Sequence, residues 1–178
     1  NLSQQDVLDL GAKIKGVRIH DIDNTVYSSS LNDYIDVHVK RLLKNLLKKQ
    51  EFHKINPLVD LYNLISMDTK LALGADLDKI EGNITLRLTQ GNENYISLGS
   101  EEAKEVKAGI YSYIDDANDI ICYSEIRQVD KTKVTNESKD IFFIVQVNKE
   151  TSDKYVKDIA KELITVVTYY LGGTGEIL

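Results

Sequence analysis

Asn56-Pro-Leu-Val-Asp-Leu-Tyr-Asn-Leu-Ile-Ser-Met67, followed after a short link by Leu73-Gly-Ala-Asp-Leu-Asp-Lys-Ile-Glu-Gly82, is the stretch around which the chain is organised. Asn56 is a good N-cap. Pro57, the only proline, falls at the first helical position, where its missing N–H costs nothing. The pattern predicts a helix over 57–67. Leu58, Val59, Leu61, Leu64 and Ile65 make most of its surface apolar, so it should be largely buried. Asn56, Asp60 and Asn63 follow at i, i+4 and i+7 and share one face. Such a stripe is either the solvent side of the helix or the wall of a polar pocket, and the pattern leaves both open.

The composition sets limits. With 178 residues and 42% apolar residues, the chain has one domain's length, room for a second small lobe, and enough apolar surface for a core. No apolar run is long enough to span a membrane, and no basic segment followed by an apolar one opens the chain as a signal peptide would. Met67 is the only methionine, so the chain is expected to start after processing or as a fragment. The single cysteine, Cys122, excludes an internal disulfide and a Cys-based zinc site. It lies in the run Ile120-Ile-Cys-Tyr123, reads as a buried thiol, and fits a cytoplasmic location. A net charge of −6 argues against a general nucleic-acid coat and against a DNA partner, because phosphate binding needs neutralising charge. A local basic patch is still compatible with it.

Outward from the central stretch, helical and strand signals are partly segregated. Ser3-Gln-Gln-Asp6 has capping-box spacing and predicts a helix over 4–13. Val17-Arg-Ile19 alternates like a short strand, and His20-Asp-Ile-Asp-Asn24 reads as a turn without the glycine and glutamate of a calcium loop. Ser30 and Asp33 have capping-box spacing ahead of a helical pattern over 31–49. Lys40, Lys44 and Lys48, with Arg41 and Lys49 beside them, form the concentrated basic face of this acidic chain. That face is either ordinary solvated surface or a contact for an RNA backbone.

Strand signals then dominate. Ile84, Leu86 and Leu88 alternate with polar residues; Tyr95-Ile-Ser-Leu98 follows a turn; Asp115-Asp-Ala-Asn-Asp119 joins two strands as a hairpin loop. Ile141-Phe-Phe-Ile-Val-Gln-Val147 reads as a strand buried on both faces. Ser152 caps a final helix to about Leu171, and Gly172-Gly-Thr-Gly175 reads as its stop and a flexible tail. The expected architecture is α+β: a mixed, sandwich-like β-sheet assembly with helices at 4–13, 31–49, 57–67 and 153–171 packed on it. His20, His38 and His53 show no metal-ligand spacing, and no nucleotide fingerprint or serine elbow occurs, so neither metal nor cofactor is expected.

Several segments in order carry a resemblance. Asn56-Pro-x-Val-Asp-x-x-Asn63, then Asp76-Leu-Asp-Lys-Ile-x-Gly-x-Ile-x-x-Arg87, then Gly99, then Lys133-Val-Thr-x-x-Ser-Lys-Asp-Ile141 resemble the tRNA-editing (B3/B4-type) domain of the phenylalanyl-tRNA synthetase β subunit. Tyr62, Asn63, Arg127 and Gln128 resemble the free-standing members more than the synthetase. The resemblance implies that 1–178 is one B3/4-like domain, with the likeness strongest over 55–147 and the helix of 151–171 packing on the same core. The synthetase domain hydrolyses a wrongly attached tyrosine from the tRNA 3′ end. By the resemblance, Asn63 lines the pocket and Tyr62 stands where the synthetase has a threonine. The family's pocket histidine and glutamate fall at about Leu73 and Ile144, which can neither polarise water nor recognise a tyrosine hydroxyl. Activity that survives should favour a smaller or apolar amino acid.

The candidate site is therefore Asn63, Tyr62 and Asp60 on the helix, with Arg127, Gln128 and Thr132 from Arg127-Gln-Val-Asp-Lys-Thr132. Arg127 can hold a carboxylate or phosphate bidentately, and Gln128 and Thr132 can hydrogen-bond a substrate. The alternative is an ordinary surface turn with an Arg127–Asp130 ion pair. Two functions stand beside each other. One is a free-standing aminoacyl-tRNA hydrolase acting in trans. The other is a non-catalytic domain that binds tRNA, an amino acid or a related small molecule, and the Leu73 and Ile144 positions favour it.

Overall fold

The computed structural model describes residues 2–4, 12–45, 52–68, 71–124 and 127–178. In chain order these form β1 (Leu2–Gln4), β2 (Ala12–His20), α1 (Ser29–Asn45), α2 (Pro57–Asp68), β3 (Leu71–Asp76), β4 (Ile84–Leu88), β5 (Tyr111–Asp115), β6 (Ile120–Tyr123), β7 (Arg127–Gln128), β8 (Ile141–Asn148), α3 (Asp153–Leu171) and β9 (Thr174–Ile177). The fold is α+β. One sheet has the order β3-β8-β2-β9 and the other β1-β4-β5-β6-β7. Every strand pair is antiparallel except β1 with β4, which is parallel.

β8 explains the layering. Its continuous apolar sequence serves two faces, as expected for a strand buried on both sides. Ile141 and Phe143 pack among Leu31, Leu58, Leu61, Leu163 and Val167 of the three helices. Phe142 and Ile144 pack with Leu86, Tyr113 and Ile121 of the five-stranded sheet. Helices, the four-stranded sheet and the five-stranded sheet thus form successive layers, and both apolar faces of β8 are removed from water.

Helix α2 begins as its sequence dictates. The Asn56 carboxamide oxygen accepts from the Val59 N–H at 2.9 Å, and Leu58, Leu61, Leu64 and Ile65 are buried. Helix α3 is capped by Ser152, whose hydroxyl accepts from the Tyr155 N–H at 3.2 Å. Helix α1 is capped two residues earlier than expected: Ser28, not Ser30, accepts from the Leu31 N–H at 3.1 Å. Residues 46–49 of the expected helix, Lys48 among them, lie outside the described residues.

The N-terminal helix expected over 4–13 is corrected at both ends, where Gln4 belongs to β1 and Ala12 and Lys13 to β2; residues 5–11 lie outside the described residues. The capping-box spacing there is a local signal. It loses to eight paired positions, from Ala12 opposite Asn148 to Ile19 opposite Ile141. The segment after α3 is not a flexible tail. Gly173 has φ 84°, and a Cβ on it would collide with the His20 carbonyl oxygen; one on Gly175 would lie 2.6 Å from Ile164. These glycines let β9 press against α3 and pair with β2, Val17 opposite Ile177. Strand β3 has no counterpart in the sequence reading, and Tyr95-Ile-Ser-Leu98 makes only an isolated bridge, Ser97 with Val129.

Candidate functional site

The polar stripe of α2 divides into two environments. At the N-terminal end it is fully enclosed. Asp60 is 0% exposed; its carboxylate accepts from the Tyr27 hydroxyl at 2.5 Å and the Ile55 N–H at 2.9 Å. Asn56 accepts from the Asn24 carboxamide at 3.1 Å. Asn24 also donates to the Thr135 carbonyl at 2.8 Å and accepts from the Leu58 N–H at 2.7 Å. These groups join the 22–28 loop, the start of α2 and the 134–138 loop. Burial, and then the bond to Asp60, push the Tyr27 hydroxyl pKa well up, so it stays a donor.

One turn further on, α2 opens onto a cavity of about 470 Å³. Tyr62 and Asn63 form its helical wall, Gly74 of β3 and Phe143 of β8 line it from the sheet, and Gln128 of β7 lines it from the five-stranded sheet. Leu58, Val59, Val134, Leu98 and Ile55 supply apolar surface, and Lys133 is the only charge among the described lining residues. The cavity is closed across its layers by one hydrogen bond: Gln128 Nε2 donates to the Tyr62 hydroxyl at 3.3 Å. Burial raises the Tyr62 hydroxyl pKa, which keeps it neutral and able to donate in turn. Lys133 Nζ is 2.8 Å from Asp130, whose Oδ1 also accepts from the Gly99 N–H at 3.2 Å.

Of the six residues proposed from sequence, Tyr62, Asn63 and Gln128 line this cavity. Arg127 does not. It precedes Gln128 in a strand, where successive side chains point to opposite faces, and it is exposed. Asp130, read as its ion-pair partner, binds Lys133 instead. Asp60 is consumed by the enclosed network, and Thr132 is buried behind the cavity with its carbonyl accepting from the Asp76 N–H at 2.9 Å. Lys40, Arg41 and Lys44 are exposed on α1. Ile144 also departs from its expected position: it faces the five-stranded sheet, while its neighbour Phe143 lines the cavity. Leu73 pairs with Ile144, and Gly74 pairs with Phe143, so the residues at the cavity are one place along from those the resemblance indicated. The substitution of apolar for polar groups survives this shift, because glycine and phenylalanine supply no acid or base either.

Gly74, Phe143 and Lys133 were missed as site residues. Gly74 left a signal, because a glycine among apolar strand residues marks a close approach. A Cβ at Gly74 would stand 3.1 Å from Phe143 and 3.7 Å from Tyr62. Among the described residues, no lining residue is a histidine or a carboxylate. His20 lies 3.5 Å from Asp140, and His38 stacks on Tyr34 with ring centroids 3.9 Å apart. Among the described residues no group of three side chains is arranged to hold a metal, and no helix is long and apolar enough to cross a membrane.

The molecule is thus a layered α+β domain with a mainly apolar cavity between a buried helix and the edge of a second sheet. The chain belongs to the B3/4 domain family, whose model matches residues 27–166. It is similar to the phenylalanine–tRNA ligase beta subunit of Fusobacterium nucleatum, 33% identical over 101 residues that make up 56% of this chain and 12% of that protein. The corresponding subunit of Mycoplasma genitalium is 31% identical over 124 residues, 68% of this chain and 15% of that protein. The chain therefore spans a small fraction of the curated relatives it matches. An N-terminal fragment of the phenylalanyl-tRNA synthetase beta subunit from Pyrococcus horikoshii shares the fold, with a TM-score of 0.59 at 15% identity over 98% of this chain and 49% of the fragment.

Proposed function

We propose that this domain binds the aminoacyl 3′ end of a tRNA in the cavity between α2 and β7 and holds it without hydrolysis. One observation carries the reading. Among the described residues, the cavity combines apolar walls with neutral hydrogen-bonding groups on Tyr62, Asn63 and Gln128 and a cation on Lys133, without a carboxylate or imidazole in the lining. Apolar walls and neutral donors suit an aminoacyl group. Ester hydrolysis also needs a group to take a proton from water, and a positioned general base contributes about 100- to 10,000-fold. The exposed Lys40, Arg41 and Lys44 on α1 are the candidates for contact with an RNA backbone.

A hydrolytic reading has one observation in its favour: Asn63 and Gln128 bring two carboxamide donors to one cavity, which is what a developing oxyanion needs. The test is single-turnover deacylation of a panel of mischarged tRNAs beside equilibrium binding of the same tRNAs. The expected result is saturable binding with ester decay at the uncatalysed rate. Rapid deacylation that disappears in Asn63→Ala would replace holding by hydrolysis.

A further inference from the structure

The hydrogen-bonding groups of the cavity are incompletely paired, and what remains unpaired describes a ligand. Asn63 offers two N–H donors and a carbonyl acceptor. Its backbone carbonyl accepts from Ser66 at 2.9 Å, but its carboxamide has no protein partner among the described residues. Gln128 uses one N–H on Tyr62 and keeps the other, together with Oε1. The Tyr62 oxygen receives that bond and keeps its own proton to donate. Leu58, Val59, Val134 and Phe143 surround these groups with apolar surface. Lys133 stands at the mouth, already held by Asp130.

Each side-chain chemistry fares differently here. A carboxylate only accepts, and it brings a charge into an apolar cavity whose one cation is paired elsewhere. An ammonium or guanidinium finds no carboxylate among the described lining residues. An alkyl group displaces water from Asn63, Gln128 and Tyr62 and leaves them unpaired. A hydroxyl donates and accepts through a single oxygen. A carboxamide does both through separate atoms, so one group can serve Asn63 and Gln128 together. Gly74 lets the Phe143 ring sit where it does at the cavity wall, since a Cβ there would stand 3.1 Å from it.

We infer that the cavity selects an aminoacyl group whose side chain ends in a carboxamide, and that Asn63 is the residue that reads it. This rests on the proposal that the cavity takes an aminoacyl group. The experiment measures binding of adenosine 5′-monophosphate carrying asparaginyl, aspartyl or leucyl groups in a non-hydrolysable 3′-amide linkage. The three side chains are nearly equal in size and differ in hydrogen bonding and charge. The asparaginyl probe is expected to bind about tenfold more tightly than either of the others, the scale of one well-made neutral hydrogen bond. Asn63→Leu keeps the volume and a good helix former. It should weaken the asparaginyl probe about tenfold and leave the leucyl probe within about twofold. Equal or tighter binding of the leucyl or aspartyl probe to the wild type overturns the inference, as does an unchanged asparaginyl-to-leucyl ratio in Asn63→Leu. Equal binding of all three leaves the aminoacyl reading standing and refutes the selectivity alone. No binding of any probe removes both.

Discussion

The two ends of α2 carry the same kinds of residue to opposite effect. Asn56 and Asp60 are buried, and their side chains are bonded to Asn24, to the half-buried Tyr27 hydroxyl and to the Ile55 N–H. One turn on, Asn63 belongs to the same stripe but faces a cavity with its carboxamide unpaired, beside Tyr62 and Gln128. A buried polar group that is fully paired holds a fold together, and one left open toward a cavity is available to a ligand. Spacing alone gives the stripe but not this division, because the division depends on which loops arrive from 24 and 135 and which sheet edge arrives from 128.

The contrast makes stability and binding separable. Asp60→Ala removes a buried carboxylate acceptor from the half-buried Tyr27 hydroxyl and the Ile55 N–H, and should cost about 3 kcal/mol of unfolding free energy. Asn24→Ala removes three bonds from the same region and should cost about 2 kcal/mol. Urea denaturation read as a shift in midpoint at constant slope checks both. Asn63→Ala, one turn away, should change stability by less than about 0.5 kcal/mol while weakening ligand binding. If Asn63→Ala destabilises the fold as much as Asp60→Ala does, the division of the helix into two roles is wrong.

The tyrosines sharpen the comparison through pH. Both Tyr27 and Tyr62 have hydroxyls held protonated above the ordinary tyrosine range, Tyr27 more strongly, by burial first and then by Asp60. A raised folded-state pKa stabilises the protein below the unfolded pKa and ceases to do so as pH rises through the folded value. Stability should therefore fall as pH rises from about 10, where tyrosines of the unfolded chain ionise. Tyr27→Phe should flatten that fall more than Tyr62→Phe. Unfolding midpoints between pH 8 and pH 11 give the two slopes, and equal flattening would show that the enclosed network does not dominate.

What the sequence made legible follows from how local each determinant is. The bounds of α2 and α3 were readable because Asn56, Pro57 and Ser152 act within one turn of their own position. Strand β8 was readable from its unbroken apolar run. The start of β2 was misread as the end of a helix, and β9 as a tail, because their state is set by pairing with distant residues and because Gly173 and Gly175 serve close packing rather than freedom; only Val17–Ile19 of β2 showed a strand pattern. At the site, Asn63 and Gln128 could be named in advance, but Arg127 could not be excluded without knowing which face of β7 turns inward. A register error of one residue on β8 exchanges Phe143 at the cavity for Ile144 in the opposite layer, because side chains alternate along a strand.

The central claim, that the open half of the α2 stripe serves a ligand and the closed half serves the fold, is tested most directly by one paired measurement. Wild type, Asn63→Ala and Asn24→Ala are titrated with a non-hydrolysable aminoacyl-adenosine monophosphate, and their urea midpoints are recorded in the same buffer. Asn63→Ala should lose about tenfold in affinity with an unmoved midpoint, and Asn24→Ala should lower the midpoint while the protein that remains folded binds as the wild type does. Wild-type affinity in Asn63→Ala, or a loss of affinity in Asn24→Ala equal to that of Asn63→Ala, would contradict it.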